Sequence, residues 1–287
     1  MQATRSGLMN GMAGVAIFSG SLPATRLAVT GFDPVFLTVA RAAIAGGLAL
    51  ALLLALRQKR PASGDLLPLA VVALGVVVGF PLLTAYALET VTSARSVVFI
   101  GLLPLATAIF GVLRGGERPR PLFWLFSGLG SLLIAGFAAG QGLGATSTGD
   151  LLMLAAVLVC GLGYAEGAAL SRRLGGWQVI SWALVLSLPV MAAVLVLWLP
   201  QSFAGVSPAA WGGLAYVSLF SMLIGFVFWY RGLAQGGIAA VGQLQLLQPF
   251  LGLTLAGLLL GEEVSPLMLA VTTGVVGCVA AARKFAR

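Results

Sequence analysis

Apolar residues run through this chain in stretches of about twenty, separated by short polar or charged connectors, and as a helix such a stretch spans a hydrocarbon layer of roughly 30 Å. Ten windows of this kind fit, at residues 8–30, 34–56, 67–88, 95–113, 121–139, 149–171, 177–199, 208–231, 238–260 and 265–284. Little chain is left between them, so no extramembrane domain is expected. The runs are continuously apolar, which favours helices over membrane β-strands, whose pattern alternates over about ten residues. Arg5 followed by an apolar run imitates a secretory leader, but the run continues past Ser21 and is read as the first helix.

The pattern also repeats. From Pro104, Glu117 follows after 13 residues and Pro121 after 17; from Pro249, Glu262 follows after 13 and Pro266 after 17. In each copy a proline interrupts an apolar helix, a carboxylate closes that helix, and a second proline opens the next one at a first-turn position, where its missing N–H is not needed. The chain is therefore read as a duplication, residues 1–144 against 145–287. Each copy holds an odd number of windows, five, so the two cross the membrane in opposite directions. Inverted repeats of this kind are a recurrent plan of secondary transporters, because near-equivalent halves allow two near-equivalent states, one open to each side.

Charge gives the orientation. Arg5, the cluster Arg57, Lys59 and Arg60, the cluster Arg114, Arg118 and Arg120, the pair Arg172 and Arg173, then Arg231 and the terminal Arg283, Lys284 and Arg287 all fall on one side. Only Arg26 and Arg95 fall on the other, together with Asp33, Glu89, Asp150, Glu262 and Glu263. Basic residues mark the cytoplasmic side, which places both termini in the cytoplasm of a cell with this protein in its inner membrane.

With 60% hydrophobic and 8% charged residues and a mean hydropathy of +1.06, the chain has too little polar surface to coat a soluble globule. The net charge of +8 sits in short clusters between windows, a topogenic pattern, so no nucleic-acid partner is expected. There is no histidine, and Cys160 and Cys278 both lie in apolar stretches. No metal, no cofactor and no enzymatic activity are expected from that inventory.

Polar residues at membrane depth usually face the bundle interior or a cavity. The first window aligns Phe18, Ser21 and Thr25 on one face, and the ninth places Gln245 and Gln248 three residues apart. With Tyr86, Tyr164 and Tyr230 these form the candidate substrate lining, against the plainer reading of hydrogen bonds between helices and of aromatics in the interfacial belt. Pro104 and Pro249, being duplicated, are the candidate hinges. Arg41 and Glu166 are the charges placed well inside a window, candidates for coupling or for a buried structural charge. Glu117 and Glu262 are read as braces of helix ends. The glycine pairs Gly75/Gly79, Gly163/Gly167, Gly232/Gly236 and Gly257/Gly261 are read as sites of close helix packing.

Taken together, Tyr86-Ala87-Leu88, the Leu-Leu-Pro ending at Pro104, Gly116-Glu117 with Pro121, and then Tyr230, Gln248-Pro249, Gly261-Glu262 and Pro266 resemble the EamA domain pair of the drug/metabolite transporter superfamily. Phe18-Ser19-Gly20-Ser21 and Ala40-Arg41 are similar to that family's first-half signature, and the branch that fits best is the YddG-type amino-acid exporters. The resemblance implies an all-α polytopic membrane protein, ten transmembrane helices as two inverted five-helix repeats around a central cavity. It also implies export of small metabolites, neutral or aromatic amino acids foremost, by alternating access. The partners would be a small-molecule substrate and the lipid bilayer, with the oligomeric state left open and a monomer compatible with the plan. In the second half Trp182 stands near where a counterpart of Arg41 would fall, so no duplicated arginine site is expected. The rival readings are efflux of lipophilic drugs by the same fold and, from another class, a lipid scramblase or membrane enzyme.

Overall fold

Helices in this chain start where a short polar side chain or a proline meets an apolar run, and several of the segments are interrupted along their length. The computed structural model describes residues 5–115, 120–140, 148–236 and 243–285, and among these residues there is no β-strand. α1 (Arg5–Ser19) and α2 (Ser21–Ala28) form one segment bent at Gly20. The cause is local: Pro23 has no N–H for the ladder, and the Tyr216 hydroxyl donates to the Ile17 carbonyl at 2.7 Å. α3 (Pro34–Ala55) opens with Asp33, whose carboxylate accepts from the Val35 and Phe36 N–H groups at 2.8 and 3.1 Å, and with Pro34 in its first turn.

The next segment is α4 (Ser63–Val72), a π-helical stretch (Ala73–Gly79) and α5 (Phe80–Thr90). The wide turn before Pro81 lets the Phe80 N–H reach back to the Gly75 carbonyl. α6 (Ser93–Ile100) and α7 (Leu103–Gly115) are separated by a turn at Gly101–Leu102, so Pro104 lies in the first turn of α7. α8 (Pro121–Gly140), α9 (Thr148–Leu174) and α10 (Gly176–Leu197) are single helices. α11 (Pro208–Tyr216), a second π-helical stretch (Val217–Ile224) and α12 (Gly225–Gly236) repeat the form of the α4–α5 segment. A 3₁₀ run (Gln243–Leu247) leads into α13 (Gln248–Leu260), with Pro249 in its first turn, and α14 (Pro266–Lys284) follows.

Among the described residues, six helical stretches are long and apolar enough to cross a membrane: Pro34–Ala55, Ser63–Thr90, Ser93–Gly111, Thr148–Ser171, Gly176–Leu197 and Pro208–Gly232. Pro121–Leu133, Leu244–Leu260 and Pro266–Cys278 are shorter apolar helices, and the first window is divided at Gly20. Leu67, Leu132, Val196, Leu197 and Leu258 are 68 to 78% exposed, a surface that water does not tolerate and lipid does. The protein is an all-α multi-pass membrane protein.

Packing follows a paired plan. α1 and α2 pack on α12 and α11, while α9 packs on α5, α4 and the stretch between them. α7 lies against α9, and α13 against α1. α3 pairs with α10, α8 with α14, and α6 with α13. Small residues set the closest approaches. A Cβ on Gly75 would lie 2.7 Å from the Val159 carbonyl oxygen and 2.9 Å from the Gly163 Cα, and one on Gly232 would lie 2.6 Å from the Gly11 nitrogen. Gly257 and Gly261 differ from the packing expectation: nothing but the Val264–Glu262 turn lies near Gly257, and Gly261 ends α13 in the left-handed conformation (φ 62°).

That end of α13 is tied to the start of α6. Glu262 accepts from the Ser93 N–H at 3.1 Å, the Ser93 hydroxyl at 2.8 Å and the Ala94 N–H at 2.8 Å, capping α6 with a carboxylate from the connector that follows α13. Next to it Arg95 donates to Asp150 through Nε at 2.9 Å, and Arg26 donates to the Leu88 carbonyl. At the opposite end of the 27-residue α9, Arg173 pairs with Asp65 at 2.8 Å, and Gln178 donates to Gln58 at 3.2 Å. Glu117, the duplicated partner of Glu262, lies outside the described residues.

Candidate substrate-binding site

The bends and breaks converge on one small chamber. Its walls are Ser21 and Leu22 just past the α1–α2 bend, Val76 of the first π-helical stretch, and Phe80 and Pro81 at the start of α5. Ser221 and Met222 of the second π-helical stretch, Leu103 at the start of α7 and Gln248 at the start of α13 complete that ring. Breaks belong here for a physical reason: a regular helix presents only side chains, whereas an interrupted one brings backbone and small side chains to a cavity. The enclosed volume is about 30 Å³, room for about two waters and far below the roughly 300 Å³ at which small-molecule pockets begin. The chamber as it stands is too narrow for a small-molecule solute.

One wall is polar. Arg41, from the middle of α3 and 4% exposed, donates from Nη2 to the Ser221 hydroxyl at 3.2 Å. The Ser221 and Ser21 hydroxyls share a hydrogen bond of 2.7 Å. The Nε of Arg41 has no hydrogen-bond partner, and among the described residues no carboxylate forms an ion pair with it. The Oε1 of Gln248 is likewise buried without a partner. The other wall is aromatic: Phe226 meets Phe18 edge-on at 4.9 Å between centroids and Tyr164 at 6.0 Å.

Of the residues singled out in the sequence, Phe18, Ser21, Arg41, Tyr164 and Gln248 meet at this chamber. Thr25 is buried one turn on, its hydroxyl donating to the Ser21 carbonyl at 2.7 Å. Gln245 is buried in the 3₁₀ run, with Nε2 unpartnered, and is not part of the wall. Tyr230 packs behind Phe226, its hydroxyl over Gly167. Tyr86 lies on an outward face of α5, 38% exposed, away from the chamber; in an apolar helix nothing in the sequence distinguishes the two faces. Glu166 is buried in α9 and does not line the chamber. Pro249 sits directly behind Gln248, and the side chain of Pro104 lies outside the described residues.

Sequence reasoning missed Ser221, Cys160, Pro81 and Phe226. Ser221 is 180 residues from Arg41 and is a common residue in an apolar run, so no spacing pointed to it. No signal in the sequence marked it: the π-helical stretches at 73–79 and 217–224, which bring Val76 and Ser221 to the chamber, show only in the folded chain.

Comparisons with known proteins agree with this architecture. A model of the EamA-like transporter family matches the chain twice, over residues 5–138 and 147–282. The chain is 68% identical over all 287 residues to a Bacillus subtilis protein known as the uncharacterized transporter YdeK, with both chains fully covered. It is 26% identical over 263 residues to a probable terminal-alkyne amino-acid exporter of Streptantibioticus cattleyicolor, covering 89% of this chain and 86% of that one. A crystal structure of a protein 22% identical in sequence superposes with a TM-score of 0.64 over 96% of each chain, which shows a shared fold.

Proposed function

The chain belongs to the EamA-like transporter family, and from that premise we propose that it exports small metabolites across the inner membrane, neutral or aromatic amino acids foremost, by alternating access. The observation that carries this reading is the chamber itself, a polar patch of Ser21, Arg41, Ser221 and Gln248 set in an apolar and aromatic lining, built at the helix breaks of both halves of the chain. A zwitterion with an apolar side chain matches such a pair of walls. The probable amino-acid exporter among the relatives supports the same substrate class.

The wider plan follows from the packing. Ten crossings in two inverted five-helix repeats, 1–144 and 145–287, account for the paired contacts: the first segment on the eighth mirrors the sixth on the third, and the second, fourth and fifth each meet their own counterpart. Both termini lie in the cytoplasm by the bias of basic residues. The Glu262 cap and the Arg95–Asp150 pair then stand on the outer side, and Asp65–Arg173 on the inner. Pro104 and Pro249 are the hinges, and Tyr164, Gln245 and Gln248 the parts of the lining and its support that move with them.

The test is counterflow of radiolabelled amino acids in proteoliposomes. Saturable uptake of L-phenylalanine or L-leucine is expected; uptake of hydrophobic cations with no amino-acid transport would replace this reading with drug efflux, which the aromatic wall also permits. In the same assay Gln248→Ala should raise the half-saturation concentration about threefold to tenfold, the cost of one buried hydrogen bond. Gln245→Ala should do less, since Gln245 is outside the wall.

A further inference from the structure

We infer that Arg41, Ser21 and Ser221 form a receptor for a single carboxylate, so that this transporter selects solutes by an acid group rather than by an amine or by apolar bulk alone. The inference deepens the amino-acid reading and rests on it for the solute's remaining groups.

The argument begins with the cost of Arg41. A guanidinium is charged under all ordinary conditions and presents five donors. Holding it in the interior of a membrane protein is expensive unless an anion and hydrogen bonds compensate it. Here one bond to Ser221 is the compensation, Nε has no partner, and no carboxylate among the described residues pairs with it. A purely structural arginine would be saturated by carbonyls or an acid, as Arg95 is by Asp150. Arg41 instead opens onto the chamber.

Its surroundings suit one carboxylate. The fork of a guanidinium matches two oxygens side by side, and the Ser21 and Ser221 hydroxyls, held 2.7 Å apart, can turn their protons to the same group. Leu103 and Gln248, at the starts of α7 and α13, also line the chamber, so the site draws on both of these helix breaks. One cation and two hydroxyls balance one negative charge, which excludes dianions such as phosphate esters. The unpartnered Oε1 of Gln248 is an acceptor placed for an ammonium on the same solute.

The experiment reads thermal unfolding of the purified detergent-solubilised protein with four probes of one aromatic shape: L-phenylalanine, phenylacetate, L-phenylalaninamide and phenethylamine. A ligand bound to the folded state raises the midpoint in proportion to its occupancy. L-phenylalanine and phenylacetate should stabilise the wild type, and the amide and the amine should not. Arg41→Gln should weaken L-phenylalanine about tenfold to a hundredfold, the range for a lost charge-assisted contact, and Arg41→Lys should fall between. Equal stabilisation by phenethylamine and L-phenylalanine, or no effect of any carboxylate, overturns the receptor with the wild type alone, whether or not the Arg41 variants fold. If phenylacetate stabilises the wild type while liposomes transport no amino acid, the receptor stands and the amino-acid assignment falls.

Discussion

Replacing Glu262 with alanine should lower the unfolding midpoint of the detergent-solubilised protein by roughly 5 to 10 °C, corresponding to about 2 to 4 kcal/mol. Three hydrogen bonds converge on this carboxylate, and all three belong to the first turn of α6. Removing the side chain leaves the Ser93 and Ala94 N–H groups without an acceptor at the positive end of a helix. Glu262→Gln should cost about half as much, because an amide can accept one of those bonds without the charge. The contact also joins the end of α13 to the start of α6, across a sequence distance of 169 residues. A transporter that must part these ends in each cycle would gain in opening what it loses in stability. A cysteine at Val91, buried beside this contact, should therefore react faster with a membrane-impermeant maleimide in the Glu262→Ala background than in the otherwise wild-type protein. Equal labelling rates and an unchanged midpoint would show that the carboxylate is only one of several equivalent ties at this end.

A larger effect is expected at Gly75. A leucine there would have to place its Cβ 2.7 Å from the Val159 carbonyl oxygen and 2.9 Å from the Gly163 Cα, where backbone faces backbone and no side chain can turn aside. α9 would be pushed off the α4–α5 segment, with an overpacking cost of at least about 3 kcal/mol. The expected result is little or no monodisperse protein after extraction. Gly47→Leu is the control: nothing lies within 4 Å of a Cβ there, and the position is exposed, so normal yield and midpoint are expected. A monodisperse Gly75→Leu protein with a normal midpoint would mean that the contact of the first π-helical stretch with α9 is not close in the native state.

The helical segments were legible in the sequence because their signal is local. Twenty apolar residues bounded by Asp33-Pro34 or Ser207-Pro208 give a helix and its first turn whatever the rest of the chain does. The brace role of Glu262 was legible for a similar reason, since a carboxylate just past a helix end has few other tasks. The direction in which each side chain faces was much less so. A helix that is apolar all round carries no moment to orient it, and Tyr86 and Tyr230, alike in sequence context, end at 38% and 1% exposure. The polar wall was half visible: Arg41 and Ser21 are conspicuous as polar groups in apolar windows. Ser221 became meaningful only once folding brought it between them, 180 residues from the one and 200 from the other. The π-helical stretches leave no trace in composition, because they redistribute backbone bonds without asking for a particular residue.

The narrowness of the chamber has a bearing on the cell as well as on the solute. With room for about two waters, the chamber as it stands is too small to pass a small-molecule solute, so under the transport role proposed above this arrangement does not conduct. If the protein exports metabolites as proposed, a cell could hold many copies without draining its pool, leakage then depending on how often the chamber widens rather than on how many molecules the membrane contains.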